Sequence, residues 1–445
     1  MNAKFTSKQI IPVGLMLFAL FFGAGNMIFP PFLAQQAGSN IWPAVIGFLV
    51  TGVGLPLLGV IAISRVGDLQ ILASRVHPIF AVVFTVVLYL VIGPLFAIPR
   101  TGTVSFEIGV VPFLPDGSAK LGLALLIFTI LYFVLTLWLS LNPSKLVDRI
   151  GKILTPALLI VLAIFAIKSF ITPLGNFSTP NEAYANGPFF KGFLEGYLTM
   201  DAIASLVFGS IVVASIREFG VTDKNTVTKL CISAGVIAAA ALALVYVSLA
   251  WIGATSTDTI GAQENGAAIL AAAAHHLFGE FGAIILALAI LFACLTTAIG
   301  LISSCAQYFS KLIPSISYKK FAVIFSVFSA VIANVGLSQL ISFSVPVLVF
   351  IYPIAIMLIF LSFAHNLFRG YTSVYIFSMI PTGLIGIVDG LNAAGLKIPG
   401  ITEALHVLPL FDNGIGWLIP AIIGALIGYV LAILFGATKR IVTTN

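Results

Sequence analysis

Apolar stretches about twenty residues long recur from one end of this chain to the other, and no fold in water buries all of them. Twelve can be marked, at 9–32, 41–63, 78–99, 121–141, 147–171, 189–215, 228–252, 281–309, 321–338, 340–363, 371–391 and 415–437. A bilayer core of about 30 Å requires roughly 20 apolar residues per helix. Lipid offers no partner to an open backbone group, so each stretch reads as a helix. Composition agrees: 8% of residues are charged, against about 25% in a soluble domain. The expectation is an all-α polytopic membrane protein of 12 transmembrane helices, a single transporter domain over 1–445. The first apolar run is too long for a cleaved signal peptide and is expected to stay.

The loops test the count. With the N-terminus inside and twelve crossings, the cytoplasmic side collects all of the 21 basic residues except Arg100, Lys120, Lys168, Lys191 and Lys397. This is the positive-inside pattern. It puts both termini in the cytoplasm of a bacterial cell (inner) membrane. It also accounts for the net charge of +6 without a nucleic-acid partner. Cys231, Cys294 and Cys305 form no CxxC pair or Cys/His cluster and read as buried small residues. Residues 264–278 read as a short amphipathic helix on the outer surface. Its neighbours His275 and His276 point in different directions on a helix, unlike a ligand pair.

Two spans carry polar groups where lipid permits none without a purpose. In the first, Gly23-Ala24-Gly25-Asn26 precedes Pro30-Pro31 near mid-bilayer. Glycine weakens a helix by about 1 kcal/mol relative to alanine. Close helix packing by small residues explains the glycines but not Asn26 or the proline pair. In the sixth, Thr199-Met200-Asp201 sets an acid halfway across, at a cost of about 2.5–3.5 kcal/mol even on lenient insertion scales. Capping of a half-helix is the structural alternative. Breaks five helices apart suit two inverted five-helix halves with a site between them, here 9–171 and 189–363, followed by helices over 371–437. In the eighth span, Thr296 and Thr297 offer adjacent hydroxyls to a small hard cation, although threonines also bond back to their own helix.

The run from Phe18 to Phe32, with Trp42-Pro43, Gly52–Gly59, Gly93–Thr101, Asn142–Lys145, Gly196–Ala202 and Tyr352-Pro353, closely resembles the branched-chain amino acid:cation symporter family (BrnQ-type, LIVCS). That family is placed with the LeuT-type transporters. The resemblance implies a LeuT-like 5+5 inverted repeat with helices 1 and 6 broken and two extra helices. It implies Leu, Ile or Val as substrate and Na⁺ as coupling ion. It likens Ala293, Thr296 and Thr297 to an eighth-helix sodium site, completed by first-helix carbonyls near Ala19 and Phe22. Asp201 departs from the neutral polar groups expected there and leaves proton coupling open.

The expected substrate cradle is therefore Gly23, Ala24, Gly25 and Asn26 with Thr199, Met200, Asp201 and Ser205. Phe21, Phe22, Ile98 and Phe208 are candidates for an aliphatic pocket, and Tyr197 and Tyr352 for the path. Arg100 and Glu107 are a candidate external gate, with an ordinary interfacial pair as the alternative. The partners are substrate and lipid, in a monomer or weak oligomer. No HExxH, GxSxG or buried His/Asp cluster suggests an enzyme. A proton-coupled amino acid transporter of the same fold and a non-transporting amino acid sensor are the alternatives. Gly424 and Gly428 form a GxxxG pair that hints at helix contact.

Overall fold

The computed structural model describes residues 7–115, 121–141 and 143–435, with side chains outside 7–9 and 143–155. Lys4, Lys120, Asn142, Lys439 and Arg440, and the side chains of Lys8, Lys145, Arg149 and Lys152, fall outside that description. Among the described residues every regular element is helical.

The first apolar run is split into α1 (Ser7–Phe21) and α2 (Ala24–Ala37). The chain then continues through α3 (Ile41–Leu49), a wide turn over Val50–Gly54 and α4 (Leu55–Val66). Next come α5 (Pro78–Leu90), α6 (Ala97–Gly109), α7 (Leu121–Ser140) and α8 (Pro143–Ile171). The second broken run is α9 (Pro188–Glu195), a tight turn over Gly196–Thr199, and α10 (Asp201–Glu218), bent by 46°. The remainder is α11 (Lys224–Ile260), α12 (Gly266–Leu312), α13 (Tyr318–Ala333), α14 (Leu337–Ala364), α15 (Thr372–Ala393) and α16 (Leu418–Phe435). Among the described residues eight stretches are long and apolar enough to cross a bilayer by themselves, and the bent pair makes up to nine. Ile10–Phe21, Pro156–Ile171 and α13 are shorter apolar helices.

Several boundaries differ from expectation for identifiable reasons. The junction expected at 338–340 lies at Asn334–Gly336, where Gly336 has φ 89° and reverses the chain as few other residues can. The third apolar run continues to Gly109, interrupted at Gly93, whose φ −103° and ψ −124° are not helical. The stretch expected to lie on the outer surface is the first part of α12, kinked from the rest at Gly279 (φ 66°). Asn265 caps it by accepting from the N–H groups of Ala267 and Ala268, both at 3.0 Å. Its inner face is buried and lies against α2, while His275 and His276 are exposed.

Small residues set how tightly α2 is held. A Cβ on Gly253 in α11 would run into the backbone of Pro31, and one on Gly266 into the backbone of Ile28. Two helices therefore clasp α2 at backbone contact, the geometry that glycine permits in apolar surroundings. The same logic holds α16 on α15, where Gly424 and Gly428 meet the Phe377 and Ser373 carbonyls. The three cysteines are buried and free.

Candidate functional site

At the first break, Phe22 N–H still closes onto the Phe18 carbonyl at 2.7 Å. The next N–H, that of Gly23, would close onto Ala19 in a continuing helix. It donates instead to Asn26 Oδ1 at 3.1 Å, so the Ala19 carbonyl is released. Gly23 is extended, and a Cβ there would sit 3.0 Å from the Thr297 methyl. Asn26 thus serves the break through its side chain. The proline pair does not make it, since Pro30 and Pro31 lie inside α2.

At the second break, Met200 holds φ 65° and ψ 7°, a left-handed conformation costly for any residue with a Cβ. That reversal ends the tight turn, and α10 restarts at Asp201. The Asp201 N–H donates to Thr199 Oγ1 at 3.3 Å.

The two breaks face one cavity. Seven of the eight expected cradle residues line it: Gly23, Ala24, Gly25, Asn26, Thr199, Met200 and Asp201. Ser205 does not. Its hydroxyl donates to the Ala202 carbonyl at 2.6 Å and packs on Gly59, where a Cβ would clash with it. The face of α10 turned to the cavity runs through Asp201, Ala204 and Phe208, the i, i+3, i+7 stripe of one helix side. Of the four aliphatic-pocket candidates, Phe21 and Phe208 line the cavity. Phe22 stacks on Phe18 at 5.0 Å and Ile98 is buried elsewhere. Tyr197 and Tyr352 stack on each other at 4.2 Å, and neither is among the lining residues.

The polar heart of the cavity is a three-helix knot. Asp201 Oδ2 accepts from Asn26 Nδ2 at 2.5 Å and from the Tyr246 hydroxyl at 2.7 Å. Asn26 and Tyr246 also touch each other. Both bonds fall on Oδ2, and the Thr199 side chain also lies beside the carboxylate at the cavity wall. Tyr246 escaped the sequence reading because a tyrosine in a long apolar helix carries no signal of its partners.

Arg100 sits differently from the gate expected of it. It is 2% exposed and lines the cavity. Its Nη1 donates to the Leu198 carbonyl at 2.6 Å, its Nη2 to Ser344 Oγ at 3.1 Å, and its guanidinium lies 5.0 Å over Phe29. Glu107 is seven residues further along the same helix, about 10 Å of axis away, and the two do not pair. The interruption at Gly93-Pro94 aims this part of α6 inward, bringing Ala97 and Thr101 to the cavity as well. That Gly-Pro step is visible in the sequence as a helix breaker.

Beside the first break, Thr297 Oγ1 donates to the Ala293 carbonyl at 3.0 Å and reaches the Phe22 carbonyl at 3.5 Å, while Thr296 Oγ1 donates to Ala293 at 2.8 Å. Four of the five expected cation contributors are joined by these contacts, and the fifth is the released carbonyl of Ala19. All are hard oxygens, the donor class an alkali or alkaline-earth cation prefers.

Two broken helices around a shared cavity are an architecture found in membrane transporters, and solved structures share the fold. MhsT in complex with L-phenylalanine superposes with a TM-score of 0.58 at 17% identity, covering 95% of this chain and 98% of that one. Mhp1, a nucleobase-cation-symport-1 family transporter, in a closed conformation with bromovinylhydantoin bound, gives 0.61 at 14%, covering 97% and 93%. The family model described as branched-chain amino acid transport protein matches residues 6–435, and the chain belongs to that family. The branched-chain amino acid permease BraB of Bacillus subtilis (strain 168) is 56% identical over 436 residues, 98% of each chain. The permease BrnQ of Escherichia coli (strain K12) is 41% identical over 449 residues, 100% of each. The chain is thus a multi-pass membrane protein of a permease family and not an enzyme.

Proposed function

We propose that this chain imports Leu, Ile and Val together with Na⁺ by alternating access. In this reading twelve spans form two inverted five-helix halves, 9–171 and 189–363, with both termini cytoplasmic in a bacterial inner membrane and 371–437 as additional helices. The observation that carries it is the shared cavity between the breaks at Gly23 and Met200. At its wall the first N–H groups of α2 and the acid of α10 stand opposite in charge. A helix N-terminus favours a carboxylate, and Asp201 Oδ1 offers an acceptor to an ammonium group. Phe21, Phe208, Ile92 and Leu301 give the aliphatic side chain an apolar wall. Such a wall separates substrates by only about 1–3 kcal/mol per methylene, so Leu, Ile and Val share it.

Na⁺ as cargo would sit among the Ala19, Phe22 and Ala293 carbonyls and the hydroxyls of Thr296 and Thr297, next to the substrate through Gly23. Because the zwitterion is neutral, each co-transported Na⁺ moves one charge. That supplies about 2.3 kcal/mol per 100 mV, or roughly 50-fold accumulation. The hydrogen-bonded acid Asp201, with Tyr246 attached, supports a second reading in which a proton takes the place of Na⁺ in the same fold.

Leucine uptake into proteoliposomes, with Na⁺ replaced by choline at fixed pH, separates the two. Sodium coupling predicts that uptake collapses in choline and rises with an inside-negative potential. Undiminished uptake in choline that follows an imposed pH gradient would favour the proton. Specific leucine binding with no uptake in either gradient would instead make the chain a sensor.

A further inference from the structure

We infer that Arg100 is the counter-charge for the substrate carboxylate, so that the cavity offers a cation to one end of a zwitterion and the Asp201 side chain to the other. This rests on the reading above that a branched-chain amino acid is the cargo. The guanidinium lies at the start of α2, where a Cβ built on Gly25 would come 3.1 Å from Nη1. The N-terminal partial charge of a 14-residue helix and a full cation therefore share one spot. Among the described residues no carboxylate pairs with Arg100: its side-chain hydrogen bonds go to a carbonyl and a hydroxyl, and its guanidinium lies over a ring face. Of the five N–H donors of a guanidinium, two are used, and Nε is buried with no acceptor.

A cation this deeply buried is costly when unpaired. An incoming carboxylate supplies the missing anion and finds planar donors suited to it. A purely mechanical tie between α6, the Leu198 turn and α14 would need only the two bonds already made. It gives no account of a third donor left without an acceptor in a residue that lines the cavity. The same placement gives the substrate a direction, with its carboxylate toward Arg100 and Gly25 and its ammonium toward Asp201.

The test compares leucine with leucinamide, which keeps the ammonium and side chain but carries no negative charge. Binding is measured on the purified full chain in nanodiscs at fixed Na⁺, by competition against labelled leucine. Wild type is expected to prefer leucine strongly. Arg100→Gln should weaken leucine about 10- to 100-fold, the loss of a hydrogen bond to a charged group, and leucinamide by less than about 3-fold, so the preference collapses. Ser344→Ala removes one of the two ties yet keeps the charge, and should keep the preference. Arg100→Lys keeps the charge without the planar fork, and should reduce the preference only in part, which keeps the test open if the glutamine variant does not fold. Equal losses for both ligands in Arg100→Gln, or an unchanged preference in both Arg100 variants, would overturn the assignment. A wild type that binds no branched-chain amino acid would overturn the cargo reading itself.

Discussion

Tyr246 donates its hydroxyl to Asp201 from α11, a helix that contains neither break. Asn26 donates to the same oxygen from α2, so one buried carboxylate joins both breaks to a third helix. Tyr246→Phe removes that donor and keeps the ring packed at 5.3 Å on Phe48. One hydrogen bond to a charged group contributes about 1.5–3 kcal/mol. Leucine binding is therefore expected to weaken at least tenfold or so, with monodisperse protein retained on size exclusion. Unchanged affinity would mean that the hydroxyl does not hold the acid in the orientation the substrate uses.

Asp201→Asn preserves the shape of the side chain and removes its charge. The new amide would also set its N–H₂ group among donors already supplied by Asn26 and Tyr246. Losing one partner of a buried charge pair costs about 2–5 kcal/mol, so initial uptake of leucine should fall at least roughly 30-fold. Near-normal uptake in this variant would return Asp201 to the role of a helix cap.

Thr297 belongs to the proposed cation shell, and its substitution should act through sodium. Thr297→Ala is expected to shift the sodium dependence of leucine binding to about tenfold higher concentration, with sodium-free binding like that of wild type. Thr297→Ser keeps the hydroxyl and should restore much of the sodium response. If alanine weakens leucine equally with and without sodium, Thr297 shapes the cavity and does not hold the ion.

Backbone clasping of α2 makes a prediction about stability. A methyl group at Gly253 would meet the Pro31 backbone, whereas one at Gly383 in α15 would meet nothing within 4 Å. Gly253→Ala should destabilise by about 1–3 kcal/mol, the usual cost of overpacking. Gly383→Ala should be neutral or gain up to about 1 kcal/mol of helix propensity. Thermal unfolding in detergent, followed for both variants, gives the order of their melting temperatures.

The membrane class and the positions of both breaks could be read from the sequence because lipid punishes polar groups at depth. Asn26 and Asp201 stand out only against that penalty. What could not be read was direction around a helix axis. Asp201 and Ser205 are four apart and share a face by spacing alone, but Ala204 and Phe208 follow Asp201 into the cavity while Ser205 turns to Gly59. A third span that ends at 99 puts Arg100 at its outer end. The helix runs ten residues further, and the interruption at Gly93 swings Arg100 inward. The left-handed Met200 had no warning in its residue type, since such turns usually call for glycine.

An experimental structure with leucine bound at saturating sodium tests the central claim most directly. The account predicts leucine between the two breaks, its carboxylate against the N–H groups near Gly25 and its ammonium on Asp201, with Gly23 extended and Met200 left-handed. Leucine seated away from residues 23–26 and 199–201, or helices running unbroken through both segments around it, would contradict the account.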